Sequence, residues 1–153
     1  MTETQKQQRP LPYEWGVGWV AVQNEALTIY TLHPKFKGNT FLVYLYLLKN
    51  YNHREGRSFP SYANMSRTLG IHEDTIGRCI ETLGKLGMVN VHRLGGPQRY
   101  SFYYTFNPLL TDADEFVRCF PEAQAKLEKR KEAQRKADEE KRRAEEAELI
   151  EWI

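Results

Sequence analysis

Between Phe59 and Val91 the apolar residues recur at helical spacing around a central glycine. Met65 and Leu69 are four apart, Gly70 and Ile71 follow, and then Ile76, Ile80 and Leu83 repeat at four and three. Such spacing marks the buried stripe of an amphipathic helix. The first helix is expected over about 62–69, capped by Ser61 and ended by Gly70. The second is expected over about 73–86, its stripe widened by Cys79 and Leu86 and closed by Gly87. From Met88 to His92 the pattern changes to alternation, which reads as a strand. Arg93 to Arg99 is a turn by composition, and Tyr100 to Phe106 a second strand rich in aromatics. The two strands predict a hairpin with Arg93 and Arg99 at its tip, ended by Asn107-Pro108.

Upstream, residues 1–12 are polar with two prolines and predict a disordered leader. Alternation over 17–22 predicts one strand, and 23–30 a short helix or turn. A basic turn, His33 to Gly38, leads to Asn39, a good N-cap for a helix from Thr40 to about Asn50. Apolar residues surround that helix, so burial on several sides is expected. A polar loop over 52–57 and an extended Ser58-Phe59-Pro60 complete the approach. Downstream, 111–120 predicts a helix capped by Thr111 or Asp112 and broken or restarted by Pro121. From Glu122 on, Ala, Glu, Lys, Arg and Gln dominate. Glu122–Lys126, Glu132–Lys136, Asp138–Arg142 and Glu139–Arg143 stand at i, i+4 in the favourable order. No heptad is sustained, so a solvated helix is expected over 122–148. The stretch Leu149 to Ile153 is apolar again.

Charge divides the chain in the same way. The 153 residues carry a net charge of only +2. From His33 to Arg99, however, ten Lys/Arg face four acids, whereas Glu122–Glu148 holds nine of each. A basic middle beside a balanced tail suggests an anionic partner for the middle, although globular surfaces also carry such excesses. Cys79 and Cys119 are forty positions apart in apolar contexts and read as buried free thiols of a reducing compartment. His33, His53, His72 and His92 share no ligand spacing, so no metal or other cofactor is expected. Phosphate-loop, zinc-protease and nucleophile motifs are absent, which argues against an enzyme. The first ten residues hold no apolar signal core, and Phe41–Leu48, the longest apolar run, is too short to cross a bilayer. A cytoplasmic protein without membrane contact is expected.

The order of helices and hairpin, with Ser61, Met65, Ser66, Leu69, Gly70, Ile71, Thr75, Ile76, Arg78, Ile80, Leu83, Gly87, Met88 and Val89 in their spacing, resembles the winged-helix signature of bacterial DNA-binding domains. The stretch "FKGNTFLVYLYLLKNYNHREGRSFPSYANMSRTLGI" extends the likeness. It resembles the N-terminal domain of plasmid and phage replication initiators of the RepA type and of DnaD-like replisome organisers, over roughly 15–106. Two-component, GntR-like and MarR-like regulators share much of the helix-turn-helix pattern, so the alternatives to a replication initiator are a transcriptional regulator using the same DNA-binding surface and a winged-helix module for protein interaction or oligomerisation. The expected fold is α+β, mainly helical: a leader over 1–12, a winged helix-turn-helix over 13–110, and a helix with a charged helical extension over 111–153.

The resemblance implies double-stranded DNA as partner, with the second helix in the major groove. Glu73, Asp74, Thr75, Gly77, Arg78, Glu81 and Thr82 would be its outward face. Arg78 would donate to guanine, and Thr75 to a phosphate or base. Ser61, Tyr62 and Arg67, with Lys35, Lys37, Arg54 and Arg57, are candidates for backbone phosphates. Arg93, Gln98 and Arg99 would reach the adjacent minor groove from the wing. A homodimer is expected, with replication proteins as possible partners of the C-terminal helix. One position departs from the family. His72 stands where a Ser or Thr cap is usual, and Glu73 and Asp74 follow. Capping, base reading and protein binding are all open for these three.

Overall fold

The computed structural model describes residues 11–14 and 16–152. The leader expected over 1–12 falls outside them except for Leu11 and Pro12. The described elements are α1 (Glu25–Thr28), a 3-10 turn (Tyr30–Leu32), α2 (Gly38–Lys49), α3 (Tyr62–Leu69), α4 (Glu73–Lys85), β1 (Val89–Gly95), β2 (Tyr100–Phe106), α5 (Ala113–Cys119), a 3-10 turn (Pro121–Ala123) and α6 (Gln124–Glu151). This is the expected winged helix-turn-helix with a C-terminal helix.

The stripes read from the sequence meet in one core. Val43 and Leu47 of α2, Met65 of α3, and Ile76, Ile80 and Leu83 of α4 are fully or almost fully buried together. Met88, Val89 and Tyr104 of the hairpin close that core from below. Phe116 of α5 and Leu127 of α6 continue it past residue 110. Tyr30 packs on Phe116 with ring centroids 4.7 Å apart, and its hydroxyl accepts from Leu110 N–H at 2.9 Å.

Caps set several helix ends. Ser61 is extended, and its Oγ accepts from Asn64 N–H at 3.1 Å. Gly70 ends α3 at φ +68°, a conformation that costs a residue with a Cβ. Asp112 caps α5 through Asp114 N–H at 3.0 Å.

Four expectations are corrected. Residues 17–22 form no strand. Two glycines weaken the segment and no ladder receives it, since the sheet contains only β1 and β2 and an isolated bridge from Ser58 to Tyr104. That bridge, 2.9 and 2.7 Å in its two hydrogen bonds, takes the free edge of β2. Second, α2 starts at Gly38 with Lys37 in the cap position, so Asn39 is inside the helix and caps nothing. Phe36 packs edge-on against Phe41 at 5.9 Å. These are the positions before the cap and at the fourth helical residue, and this staple outweighs the capping preference of Asn39. The helix is also not buried all round, as Leu42 is exposed. Third, β1 runs on to Gly95, so Arg93 is inside a strand, paired with Phe102. The tip is the shorter Gly96–Arg99. Gly95 has φ +100°, and a Cβ there would meet the Arg99 carbonyl oxygen at 2.2 Å. Fourth, Cys79 is buried but Cys119 is exposed, at the outer end of a seven-residue helix.

In α6 only Glu139–Arg143 of the four expected pairs forms, at 2.9 Å. Glu132 takes Arg135 three residues away at 2.7 Å instead, and Asp138 accepts from Gln134. Lys126 and Arg130 donate to the backbone carbonyls of Thr31 and Thr28. Two side chains of α6 thus satisfy carbonyls at and just beyond the end of α1, where a cation is favoured. No described helix is long and apolar enough to cross a membrane.

Candidate nucleic-acid interface

The candidate surface is built on α4, whose inner face is locked by Ile76, Ile80 and Leu83. Its outer face presents Glu73, Asp74 and Arg78 exposed, with Thr75 and Thr82 half-buried on the flank. Arg78 lies along its own helix, its Nε donating to the Asp74 carbonyl at 3.4 Å. Thr82 donates to the Arg78 carbonyl at 3.1 Å.

Charge on α4 alone does not favour a polyanion. Glu73, Asp74 and Glu81 outnumber Arg78 and Lys85. One of the acids is partly offset: Glu81 pairs with Lys85 at 3.1 Å. Positive potential is supplied by the neighbouring segment. A cleft of about 600 Å³ opens between α4 and the start of α2, and Lys35, Lys37, Asn39, Thr75, Arg78 and Thr82 line it. The first intrahelical bond of α2 is made by Phe41 N–H to the Lys37 carbonyl. The N–H groups of Gly38, Asn39 and Thr40 therefore precede the ladder, at the positive end of the helix dipole. Thr40 itself is buried, its hydroxyl donating to the Lys35 carbonyl and towards Cys79 Sγ. Three cations, a helix start and two threonine hydroxyls converge where a phosphodiester could lie beside α4.

Sequence reasoning named Lys35 and Lys37 as phosphate candidates but placed no cleft there and missed Gly38 and Asn39. The signal was present as a basic turn directly before a helix. What the sequence lacked was the crossing of α2 and α4 that brings residues some forty positions apart to one wall.

Of the other predicted residues, some join this surface and some do not. His72 acts as a cap: its Nδ1 accepts from Asp74 N–H at 3.2 Å. Gly77 faces Tyr62, whose ring would lie 3.5 Å from an added Cβ. Tyr62 also stacks on Phe102 at 6.0 Å, so it ties α3 to α4 and the hairpin. Burial pushes the Tyr62 hydroxyl above the ordinary tyrosine range and keeps it protonated. Ser61 uses its hydroxyl on the cap, and exposed Arg67 donates to Asn64. Arg54 and Arg57 sit in the loop beside the outer edge of β2. Arg57 lies 4.6 Å over the Tyr103 ring and pairs with Glu55 at 3.4 Å. Tyr103 stands on the sheet face opposite Tyr104 and Val91, and Val91 is the side chain that approaches α4 at Gly84. The structure does not bring Arg57 to the α4 surface.

The wing carries a separate basic group. Arg93 lies 3.9 Å over the ring of exposed Tyr100, a cation–π contact that holds its guanidinium beside the hairpin. Gln98 and Arg99 are exposed at the tip.

Residues 36–89 match a family model described as a helix-turn-helix domain. The match runs from the staple residue Phe36 through α2, α3 and α4 to the first residue of β1. No curated protein and no solved structure matches the chain. That likeness to a helix-turn-helix domain, together with the basic cleft on α4, supports DNA binding.

Proposed function

We propose that the chain is a sequence-specific binder of double-stranded DNA that acts in replication initiation of a plasmid, phage or other mobile element. It works as a homodimer on repeated origin sites, by binding and not by catalysis, and α6 leads toward replication proteins. The observation that carries DNA binding is the cleft in which Lys35, Lys37 and the start of α2 meet Thr75, Arg78 and Thr82. With α4 in the major groove, that cleft grips the backbone of one strand while Arg78 reads a base edge. The wing, with Arg93 fixed on Tyr100 and Arg99 at the tip, reaches the adjacent minor groove. The replication role rests on the likeness of the stretch from Phe36 to Ile71 to initiator domains.

Selection of bound fragments from the DNA of the host element tests the reading. Recovered origin repeats are expected. Recovery of promoter fragments instead would replace replication by transcriptional control on the same surface. On the selected site, Arg78→Ala is expected to cost about 1–3 kcal/mol and to relax specificity at one base pair. Lys35→Ala, Lys37→Ala, Arg93→Ala and Arg99→Ala are expected to weaken binding and to flatten its salt dependence. Unchanged affinity of Arg78→Ala at physiological salt would falsify the groove assignment.

A further inference from the structure

Two exposed surfaces far from the cleft remain to be explained, and they complement each other. The first is the end of α6. Glu145, Glu148, Leu149 and Trp152 stand at i, i+3, i+4 and i+7 and share one face. Leu149, Ile150 and Trp152 are among the most exposed large apolar side chains, Trp152 at 86%. From Glu145 to Glu151 there are four acids and no base, and none of the four is in an ion pair among the described residues. This is an acidic surface with an apolar centre.

The second is a groove of about 570 Å³ on the opposite side of α2 from the DNA-facing cleft, lined by Trp19, Val20, Leu48, Lys49, Tyr51 and Phe106. Trp19, Val20 and Tyr51 are each more than a third exposed. Tyr51 is braced edge-on by Phe106 at 5.8 Å, so the floor is rigid and aromatic. Lys49 stands at the rim, 5.9 Å from the Tyr46 ring and in no ion pair among the described residues. The segment 49–57 holds three bases and one acid. An apolar floor with a cationic rim fits an acidic helix face with an apolar centre.

The helix end does not reach the groove of its own chain. Leu127 anchors α6 in the core. Leu149 lies twenty-two residues further along one unbroken helix, about 33 Å away at the helical rise. Folding back would require breaking α6. We propose that the face Glu145–Glu148–Leu149–Trp152 of one copy docks in the Trp19–Lys49–Tyr51 groove of a second copy. Reciprocal exchange closes the assembly as a two-fold dimer, with Glu148 or Glu145 against the partner copy's Lys49. The proposal gives the homodimer of the preceding reading its interface, and it does not depend on DNA binding.

Sedimentation equilibrium of the full chain tests it, with circular dichroism to verify that each variant keeps its helix. A dimer is expected for the natural sequence. Leu149→Ala with Trp152→Ala is expected to weaken it at least about tenfold, because both positions lose their docked apolar contact. Lys49→Glu is expected to weaken it as well, and adding Glu145→Lys and Glu148→Lys to Lys49→Glu is expected to restore it. Mixing the tail variant with the Lys49→Glu variant is expected to give heterodimers held by one intact exchange. A chain that stays monomeric overturns both the dimer and the interface. A dimer indifferent to the tail variant overturns this interface alone. Sensitivity to the tail variant without sensitivity to Lys49→Glu rejects the groove as its receptor. DNA binding by the monomeric tail variant, measured on a single site, reports separately on the preceding reading.

Discussion

Helices α4 and α6 are held by opposite means. The 13 residues of α4 bury Ile76, Cys79, Ile80 and Leu83, whereas the 28 residues of α6 bury only Leu127. One helix takes its position from tertiary packing. The other projects from its first two turns and persists through ladders such as Glu132–Arg135–Glu139–Arg143. Helix α4 contains Gly77 and Gly84, so propensity alone would not make it firm. It is firm because the core fixes it, and the proposed groove reading needs that rigidity. Helix α6 needs only to reach.

The contrast can be broken most severely in the core. Ile76→Ala, at a fully buried site, is expected to cost about 2–5 kcal/mol in denaturant unfolding. Ala144→Gly on exposed α6 is expected to cost no more than about 1 kcal/mol. Equal losses would show that the two helices are not held differently. Arg78→Ala should leave the melting temperature unchanged and remove about 1–3 kcal/mol of discrimination at one base pair, read by competition binding. If it unfolds the protein instead, Arg78 is structural. Ser61→Ala, which deletes the cap on Asn64 N–H, is expected to cost about 1 kcal/mol.

A smaller effect belongs to the junction of the two regions. His33 is buried, accepts from Lys35 N–H at Nδ1 and lies 3.8 Å from Glu122, just before α6. Burial lowers its pKa below the ordinary 6.5, and Glu122 partly offsets the shift. The unfolded chain therefore binds the proton more readily, and stability is expected to fall as pH drops through about 6.5 toward the lower folded value. His33→Gln should flatten that part of the stability profile. An unchanged slope would assign the pH dependence to other groups. Smallest of all, Arg143→Ala on α6 is expected to cost at most about 0.5 kcal/mol, vanishing in high salt.

Much of the matched domain was legible in the chain because its signals are local. Ser61, Gly70 and the stripe Ile76–Ile80–Leu83 each act within one or two turns, and all fell where the sequence placed them. The misreadings share one physical cause. Asn39 is a good cap in isolation, but Phe36 and Phe41 clasp one another and start the helix two residues sooner. Residues 17–22 alternate like a strand but have no ladder to join. Arg93 looked like a turn residue because the chain is polar there, while the register with Phe102 extends the strand past it.

The candidate site divides along the same line. The amino-acid order alone determined that Glu73, Asp74, Arg78 and Glu81 face outward on α4, that the middle of the chain is basic, and that the tail is a charged helix. These follow from periodicity and composition, which neighbours in sequence share. Only the folded chain decided that Lys35 and Lys37 face Thr75 and Arg78 across a cleft, that Arg57 turns to the other face, and that Arg93 rests on Tyr100. Those relations join residues seven to some forty positions apart, through a helix crossing, a loop and a strand register. No local periodicity encodes them, because each depends on how buried faces pack.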